Sequence, residues 1–396
     1  MQPANRFIAI TPHCALKNLE EPCVYDIEND ELYELGRDAY EFLLRCSQGE
    51  QPVVRQEDEE FIQYCLSEGL IRRVETPFQK KQFVHRSPIP SLRYVELQLT
   101  DRCNLQCRHC YLGESRQRDL SFDRALRSLK EFEEIQGLRL LLSGGEPLLH
   151  PQFWRINDLL TNYDFRSVLL SNGTLITKSV AKKLRVHEAQ VSLDGMKEGH
   201  ESLRGKGTFR KALTAIDDLH EAGIQVSVAT MIHKDNLKEF DSLAGLLQSK
   251  EIREWNVDVP CIEGRLKENE NLCPSPAEAG PVLNYGFGGG MHASQESYGC
   301  GAHLCAIMPD GHVAKCGLFS RDPVGVIDEG LRVCWERVPR IRLKELTCNC
   351  PLIEECRGGC RYRAKLQGGI LDPDLFQCYA HGVVKGGELD DDQKSS

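Results

Sequence analysis

The chain has 396 residues, 41% of them apolar and 27% charged, with a formal net charge of −10 at pH 7. This length predicts two or three domains with packed cores, and the negative charge argues against a protein that binds nucleic acid electrostatically. Because no apolar run reaches the length of a membrane helix and no signal pattern opens the sequence, we expect a soluble, cytoplasmic protein with no membrane partner. Its 18 cysteines therefore indicate metal ligands rather than disulfides.

The first 85 residues are predicted to form a small domain of strands and helices. Alternating residues beside Asn29-Asp30 predict a β-hairpin, and two amphipathic helices and a further strand follow. This pattern resembles the PqqD-like peptide-recognition domain of enzymes that modify ribosomally made peptides, which implies a precursor peptide whose leader adds as a strand to the hairpin edge. The alternative is a winged-helix-like domain that only packs on the rest of the chain or mediates dimerisation. The predicted strands are 7–10, 24–27, 31–35 and 70–74, and the predicted helices are 37–46 and 57–68.

After a proline-containing linker at 77–92, the segment 93–260 alternates strands with helices. Repeated βα units predict a parallel sheet whose site lies in the loops at the carboxyl ends of the strands. Six such units predict the fold class α/β, with a partial (β/α)6 TIM-type barrel. The predicted strands are 94–99, 138–142, 166–170, 189–193, 225–230 and 254–259, and the predicted helices include 122–135 and 209–222.

Three cysteines, Cys103, Cys107 and Cys110, follow the first of these strands at positions i, i+4 and i+7. Three thiolates can hold three irons of a [4Fe–4S] cubane and leave the fourth iron open for chemistry. A helix with a buried stripe of cysteines would have the same spacing, but polar residues fill most of the gaps here. Zinc is the other alternative, although zinc ligand pairs are usually spaced CxxC.

The CxxxCxxC spacing after a strand is similar to the signature of the radical S-adenosylmethionine (SAM) superfamily. The resemblance implies that the open iron binds the amino and carboxylate groups of SAM. It also implies that reductive cleavage yields a 5′-deoxyadenosyl radical, with electrons from a flavodoxin- or ferredoxin-type reductant. His109 stands where the family usually has an aromatic residue, which is a departure from the pattern.

Glycines and polar residues after the later strands are the candidate SAM contacts. Gly144 and Gly145 let the backbone approach a ligand, and the Glu146 carboxylate can accept bonds from an ammonium group. The fork of Arg204 matches a carboxylate. Similarity to the family's GGE motif, and to the subset with an SLDG strand and a later arginine, implies that these positions hold SAM. The implied contacts are Gly144, Gly145, Glu146, Asn172, Ser192, Arg204 and, against the adenine, Ile262.

The remaining cysteines concentrate near the carboxyl terminus. Residues 261–299 are predicted to be a bridge over the barrel, and its Cys261 and Cys273 are expected to be neither ligands nor substrate-handling thiols. The array over 300–380 resembles a SPASM domain with two auxiliary [4Fe–4S] clusters, which need eight thiols when fully ligated. Two zinc ribbons are the alternative, and Cys348-Asn349-Cys350 departs from the usual CxxC. Residues 381–396 are predicted to be a disordered acidic tail. The resemblance assigns Cys300, Cys305, Cys316 and Cys360 to the first cluster and Cys348, Cys350, Cys356 and Cys378 to the second.

These features predict a radical SAM enzyme with three [4Fe–4S] clusters that modifies a ribosomally synthesised precursor peptide, by forming a thioether or another cross-link. One alternative keeps the chemistry but acts on a small molecule such as a tetrapyrrole. The other is a non-catalytic iron–sulfur scaffold or electron carrier, against which the GGE-like loop argues, because a carrier has no use for an amino-acid pocket. Deleting residues 1–85 is expected to weaken peptide binding and to leave SAM cleavage largely intact.

Overall fold

The computed structural model describes residues 7–50, 54, 56, 58–77, 79–80, 83, 85–288, 290–292 and 297–383. Its first part contains β1 (Phe7–Ile10), β2 (Cys14–Asn18), β3 (Pro22–Asp26), β4 (Glu31–Glu34), α1 (Arg37–Ser47), α2 (Asp58–Ser67) and β5 (Ile71–Val74). Strands β2, β3 and β4 form an antiparallel sheet, and β1 pairs with β5. The β3–β4 pair is the hairpin expected from the sequence. Strand β2 was not predicted, because Lys17 and Asn18 interrupt its short apolar run.

The three-stranded sheet is covered on both faces. Because successive side chains of a strand point to opposite faces, Leu16 and Val24 pack with α1 and α2, whereas Ala15 and Tyr25 pack against Leu138 beside the barrel. Both faces therefore carry apolar residues. The four cysteines of this region have the buried positions expected of small core residues: Cys14, Cys23, Cys46 and Cys65.

The segment after residue 93 builds six parallel strands that pair in chain order. All six were predicted from the sequence to within two residues. Their carboxyl ends meet at one edge, where the predicted motifs lie. The elements are β6 (Tyr94–Thr100), α3 (Phe122–Glu134), β7 (Arg139–Gly144), α4 (Phe153–Asn157), β8 (Arg166–Ser171), α5 (Lys178–Ala181), β9 (Glu188–Ser192), α6 (Lys197–Arg204), α7 (Thr208–Glu221), β10 (Gln225–Met231), α8 (Phe240–Ser249) and β11 (Glu254–Asp258).

The three-stranded sheet closes the amino-terminal end of the barrel. Arg139, the first residue of β7, forms an ion pair with Asp30. Arg166, the first residue of β8, donates two bonds of 2.8 Å to carbonyl oxygens of the β3–β4 connection. Just before β6, Arg93 donates to Glu20 at 2.6 Å. Buried charges need partners, so this end of the barrel depends on the sheet, and a ligand has access at the opposite end.

The chain after the barrel extends the sheet beyond the six predicted strands. Strand β12 pairs in parallel with β6, and two short antiparallel strands follow it, so the sheet has nine strands within the described residues. These strands of two to four residues are too short to show a period in the sequence. The elements are α9 (Pro276–Leu283), β12 (Leu304–Ile307), β13 (His312–Ala314), β14 (Gly325–Val326), α10 (Leu331–Arg337), α11 (Ile353–Cys356), α12 (Arg361–Gln367) and α13 (Leu375–Ala380).

Short 3-10 turns complete the described secondary structure. They lie at Pro147–Leu149, Leu160–Asn162, Gly264–Glu268, Glu270–Leu272, Gly317–Phe319, Ile327–Glu329 and Leu343–Glu345. In the parts of the chain that the structure describes, no helix has the length and apolar character that a membrane crossing requires. From residue 384 onward, the predicted acidic tail lies outside the described residues.

Candidate active site and cysteine clusters

Cys103, Cys107 and Cys110 lie in the loop that leaves the carboxyl end of β6. This loop, which is described throughout, contains no helix, so the three thiols are not a stripe on a helix. The backbone N–H of Leu105 donates to the Cys103 sulfur at 3.4 Å, and the side-chain amide of Asn172 lies 3.9 Å from the same sulfur. Such N–H donors favour a thiolate. All three cysteines line one cavity of about 610 Å³.

Gly144, the last residue of β7, and Gly145, which follows it, pack against the start of the cysteine loop. Gly144 has φ +133°, a conformation that L side chains rarely adopt. A Cβ atom on Gly144 would collide with the backbone of Thr100, and one on Gly145 would collide with the carbonyl of Arg102. The glycines are therefore required for the close approach of two backbone segments. From the sequence we expected these glycines to let the backbone approach a ligand. The structure shows that they also let two protein segments approach each other, and both glycines line the cavity.

The Glu146 side chain does not line the cavity, so in this structure it does not face the space in which we expected it to bind the ammonium group of a ligand. The side chain is fully buried and accepts bonds of 3.0 Å from the Ser171 hydroxyl and from the Asn172 backbone N–H. Burial raises the pKa of Glu146 to about 7, although these two donors oppose that shift. Glu146 thus ties the β7 loop to the end of β8 and positions Asn172 beside the cysteine loop.

Arg204 and Ser192, two of the predicted SAM contacts, both line the cavity. Arg204 also has a partner within the protein. Its guanidinium forms an ion pair with Asp194, which is fully buried. Burial would raise the pKa of Asp194, but the charge of Arg204 outweighs burial and lowers it well below its usual range. Nε and Nη2 of Arg204 both donate to this carboxylate. Because Nε and Nη2 bind Asp194, Nη1 is the nitrogen of Arg204 that is available to bind a ligand carboxylate.

Ile262 is 38% exposed and lies outside the walls of the cavity, so the structure does not bring it together with the other predicted SAM contacts. The physical reason is a tight turn after β11, in which the Glu263 N–H donates to the Cys261 carbonyl at 2.7 Å. This turn leaves the Ile262 side chain at the surface.

Several wall residues of the cavity were missed by sequence reasoning. Glu96, Tyr111, Gln190 and Met231 all line it. Glu96 accepts a bond of 2.8 Å from the Ser143 hydroxyl, at the centre of a polar patch inside the barrel. The sequence did contain a signal for this patch, since Glu96 is a charged residue within the otherwise apolar strand β6. A charged side chain faces the interior of a barrel only where a polar site exists.

The four cysteines assigned to the second auxiliary cluster lie together. Cys378 interacts electrostatically with the thiols of Cys348, Cys350 and Cys356. Two backbone N–H groups donate to these sulfurs, one to Cys350 at 3.4 Å and one to Cys356 at 3.3 Å. The CxC spacing therefore does not remove Cys348 from the group.

The four cysteines assigned to the first auxiliary cluster do not lie together. Cys300, Cys316 and Cys360 line a second cavity of about 320 Å³. Cys305 is completely buried on β12 and belongs to the barrel core with Cys334, so the structure does not bring it together with the other three thiols. The reason is the alternation of side chains along β12, which directs Cys305 into the core rather than toward the other three thiols.

The donor sets fit iron–sulfur clusters. Each set consists of thiols with N–H groups or cationic groups nearby, which is what cysteine-ligated clusters require. At the second cavity, the guanidinium of Arg361 is completely buried, and its Nη2 has no hydrogen-bond partner among the described residues. A buried cationic N–H without an acceptor is suited to donate to a cluster sulfide.

Comparison with known proteins identifies the class of the barrel. Residues 97–247 match the model of the Radical SAM superfamily. The matched segment begins in β6 and contains the three-cysteine loop, the two glycines, Asn172 and Arg204. This part of the chain is therefore a radical SAM domain.

Two curated relatives and one solved structure are similar over most of the chain. The AdoMet-dependent heme synthase of Methanosarcina barkeri is 28% identical over 342 residues, which cover 73% of this chain and 97% of the relative. The mycofactocin maturase MftC of Mycolicibacterium smegmatis is 29% identical over 320 residues, which cover 71% of this chain and 81% of the relative. The crystal structure of Streptococcus suis SuiB bound to S-adenosylmethionine superposes with a TM-score of 0.67 at 14% identity, covering 93% of this chain and all of SuiB. This last likeness shows a shared fold.

Proposed function

We propose that this protein is a radical SAM enzyme that modifies a ribosomally synthesised precursor peptide. The observation that carries the proposal is the single cavity of about 610 Å³ at the carboxyl edge of the sheet. It brings together the three cysteines of one loop, two glycines and an arginine whose side chain is mostly buried. When bound, the cluster and SAM supply a 5′-deoxyadenosyl radical.

The residues of the chain divide the task of holding these groups. Cys103, Cys107 and Cys110 would ligate three irons, and Asn172 would stabilise the first thiolate through its N–H. Nη1 of Arg204 would bind the SAM carboxylate, with Asp194 holding the guanidinium in place. The buried strands exclude water from the base of the cavity, which protects a radical from quenching by solvent.

The peptide substrate is supported by the first part of the chain. Strand β4 pairs with β3, and in the described residues its other edge has no strand partner. An unpaired edge can accept an added strand, which is one way in which domains bind extended peptides. SuiB has also been solved with its precursor peptide SuiA, and this chain superposes on that structure with a TM-score of 0.66. Together with the similarity to a mycofactocin maturase, this favours a peptide.

The test begins with anaerobic protein reconstituted with iron and sulfide. Incubated with SAM and dithionite, which replaces the flavodoxin- or ferredoxin-type reductant, it is expected to release 5′-deoxyadenosine. The C103A/C107A/C110A variant is the matched control and should release none. Absence of 5′-deoxyadenosine from the reconstituted wild type would instead favour an iron–sulfur scaffold. Co-expression with a short cysteine-containing peptide encoded beside the gene should change the mass of that peptide.

A tetrapyrrole substrate is the second candidate. The similarity to a heme synthase over 73% of this chain favours it. The two candidates separate in one assay, in which 5′-deoxyadenosine release is measured with a carboxylate-bearing iron porphyrin and with the neighbouring peptide. A change in the mass of the porphyrin, with no change in the peptide, would replace the peptide proposal.

A further inference from the structure

The second cavity contains a fourth thiol that the sequence did not assign. Cys261 lines it together with Cys300, Cys316 and Cys360. We propose that Cys261, in place of Cys305, is the fourth ligand of an auxiliary [4Fe–4S] cluster in this cavity. The inference rests on the iron–sulfur chemistry of the proposed function, but not on the identity of its substrate.

The contacts among the thiols place Cys360 at the centre of the group. The Cys360 sulfur is within hydrogen-bonding reach of both the Cys261 and the Cys300 thiols. Cys316 interacts electrostatically with the same group. Four thiols that converge from separate segments on one cavity are the donor set that a fully ligated cubane needs, each losing its proton on binding iron.

Strand alternation separates Cys305 from this group. Its neighbour Ala306 packs in the same apolar cluster as Cys261, on the cavity side of β12. Cys305 faces the other side, into the barrel core. The register of β12 is fixed, because Cys305 is paired with Val95 of β6. Bringing the Cys305 sulfur to the cavity would require a one-residue slip, which would turn Ala306 and its neighbours to the wrong face.

The position of Cys261 is fixed by the barrel. It follows β11 after only two residues, and its carbonyl accepts the Glu263 N–H at 2.7 Å. The side chain is 8% exposed, so a thiolate there is shielded from solvent. Arg361 also lines the cavity, and its buried Nη2 has no partner among the described residues, so the guanidinium supplies positive charge to four thiolates. The ligand set therefore joins the last barrel strand to the cysteine-rich region.

The test isolates this cluster by removing the first one. In a C103A/C107A/C110A background, the remaining iron and sulfide belong to the auxiliary clusters, about eight of each per chain for two cubanes. C261A is expected either to lose about four irons or to keep a cluster with one iron that lacks a thiolate. That iron leaves on mild oxidation, and the [3Fe–4S] EPR signal follows. C305A in the same background is the matched control and should keep full iron content with no such signal.

The outcomes distinguish the ligand assignment from the proposed function. Loss of the cluster in C305A, with C261A unchanged, overturns the assignment of Cys261 alone. A background protein with no iron overturns the auxiliary clusters altogether. If C261A fails to fold, wild-type protein is alkylated before and after iron is removed by chelation. Cys261 should become labelled only after removal, together with Cys300, whereas labelling of Cys305 in its place would refute the inference.

Discussion

The ion pair between Asp30 and Arg139 offers a direct test of how the first sheet closes the barrel. The substitution Asp30→Asn removes the carboxylate charge and keeps the backbone, because Asp30 has φ +60° and asparagine tolerates this conformation well. Asparagine can also still accept the 2.5 Å bond from the Tyr25 hydroxyl. The change therefore isolates the charge of Asp30.

The expected cost follows from the burial of the pair. The side chains of Arg139 and Asp30 are 10% and 5% exposed, so removing one charge leaves the other unpaired in the interior. Burial would raise the pKa of Asp30, but the bond from His292 and the charge of Arg139 lower it from 3.8 to about 2. That shift corresponds to about 2 kcal/mol. An unpaired buried guanidinium costs about 3–5 kcal/mol. We therefore expect Asp30→Asn to destabilise the protein by about 3 kcal/mol.

The assay is thermal unfolding followed by intrinsic fluorescence under anaerobic conditions. For a chain of this length, a loss of about 3 kcal/mol lowers the melting temperature by roughly 4 °C. Because the pKa of Asp30 is lowered in the folded state, its contribution is present above pH 3.8 and is lost as the pH falls through about 2. The difference between wild type and variant should therefore shrink over that range.

The matched control is Glu50→Gln, which breaks an exposed pair with Arg45. Exposed pairs contribute about 0.2–1 kcal/mol, so this variant should melt within roughly 2 °C of wild type. The reasoning is refuted if Asp30→Asn melts no lower than Glu50→Gln.

Three further predictions concern the cysteine loop, the arginine and the first sheet. Gly145→Ala forces the cysteine loop away, so iron content and 5′-deoxyadenosine release should both fall. The control is Gly245→Ala in α8, where the added methyl group meets open space and should raise the stability of the protein by about 1 kcal/mol. Arg204→Lys keeps the charge beside Asp194 but loses the fork, so calorimetry should show SAM binding weakened by about tenfold, and unchanged affinity would exclude the carboxylate contact. Deleting residues 1–85 should give aggregated protein rather than a competent barrel. A soluble truncated chain that still cleaves SAM would restore the expectation drawn from the sequence.

The barrel was predictable because its signals are local and repeated. The strands from β6 to β11 carry apolar residues in short runs or in alternation, and the longer helices between them, such as α3 and α7, have a clear amphipathic period. The three-cysteine motif could also be recognised from the sequence, because the spacing of its cysteines by itself indicates ligands of an iron–sulfur cluster. The convergence of these residues on one cavity follows from the parallel topology, since the loops at the carboxyl ends share one edge.

The sequence was least informative where the role of a residue depends on which way its side chain points. Glu146 follows two ligand-side glycines, but the turn directs its carboxylate beneath β8, where Ser171 binds it. Cys305 has a plausible spacing from Cys300, and a register of one residue on β12 decides that it faces the core. Neither outcome is visible in residue types. The dependence of the barrel on the first sheet was also hidden, because Arg139 and Asp30 are 109 positions apart in the chain.

The β2–β3–β4 sheet occupies one end of the barrel, and the cysteine loop lies at the other. A peptide bound to β4 is therefore separated from the cavity beside the cysteine loop by at least the length of a strand. Seven residues of β6 correspond to about 23 Å. An extended tether needs on the order of seven residues to cover that span along the outside of the molecule. The fold thus sets a minimum length for the segment between the part of a peptide that binds β4 and the part that is modified.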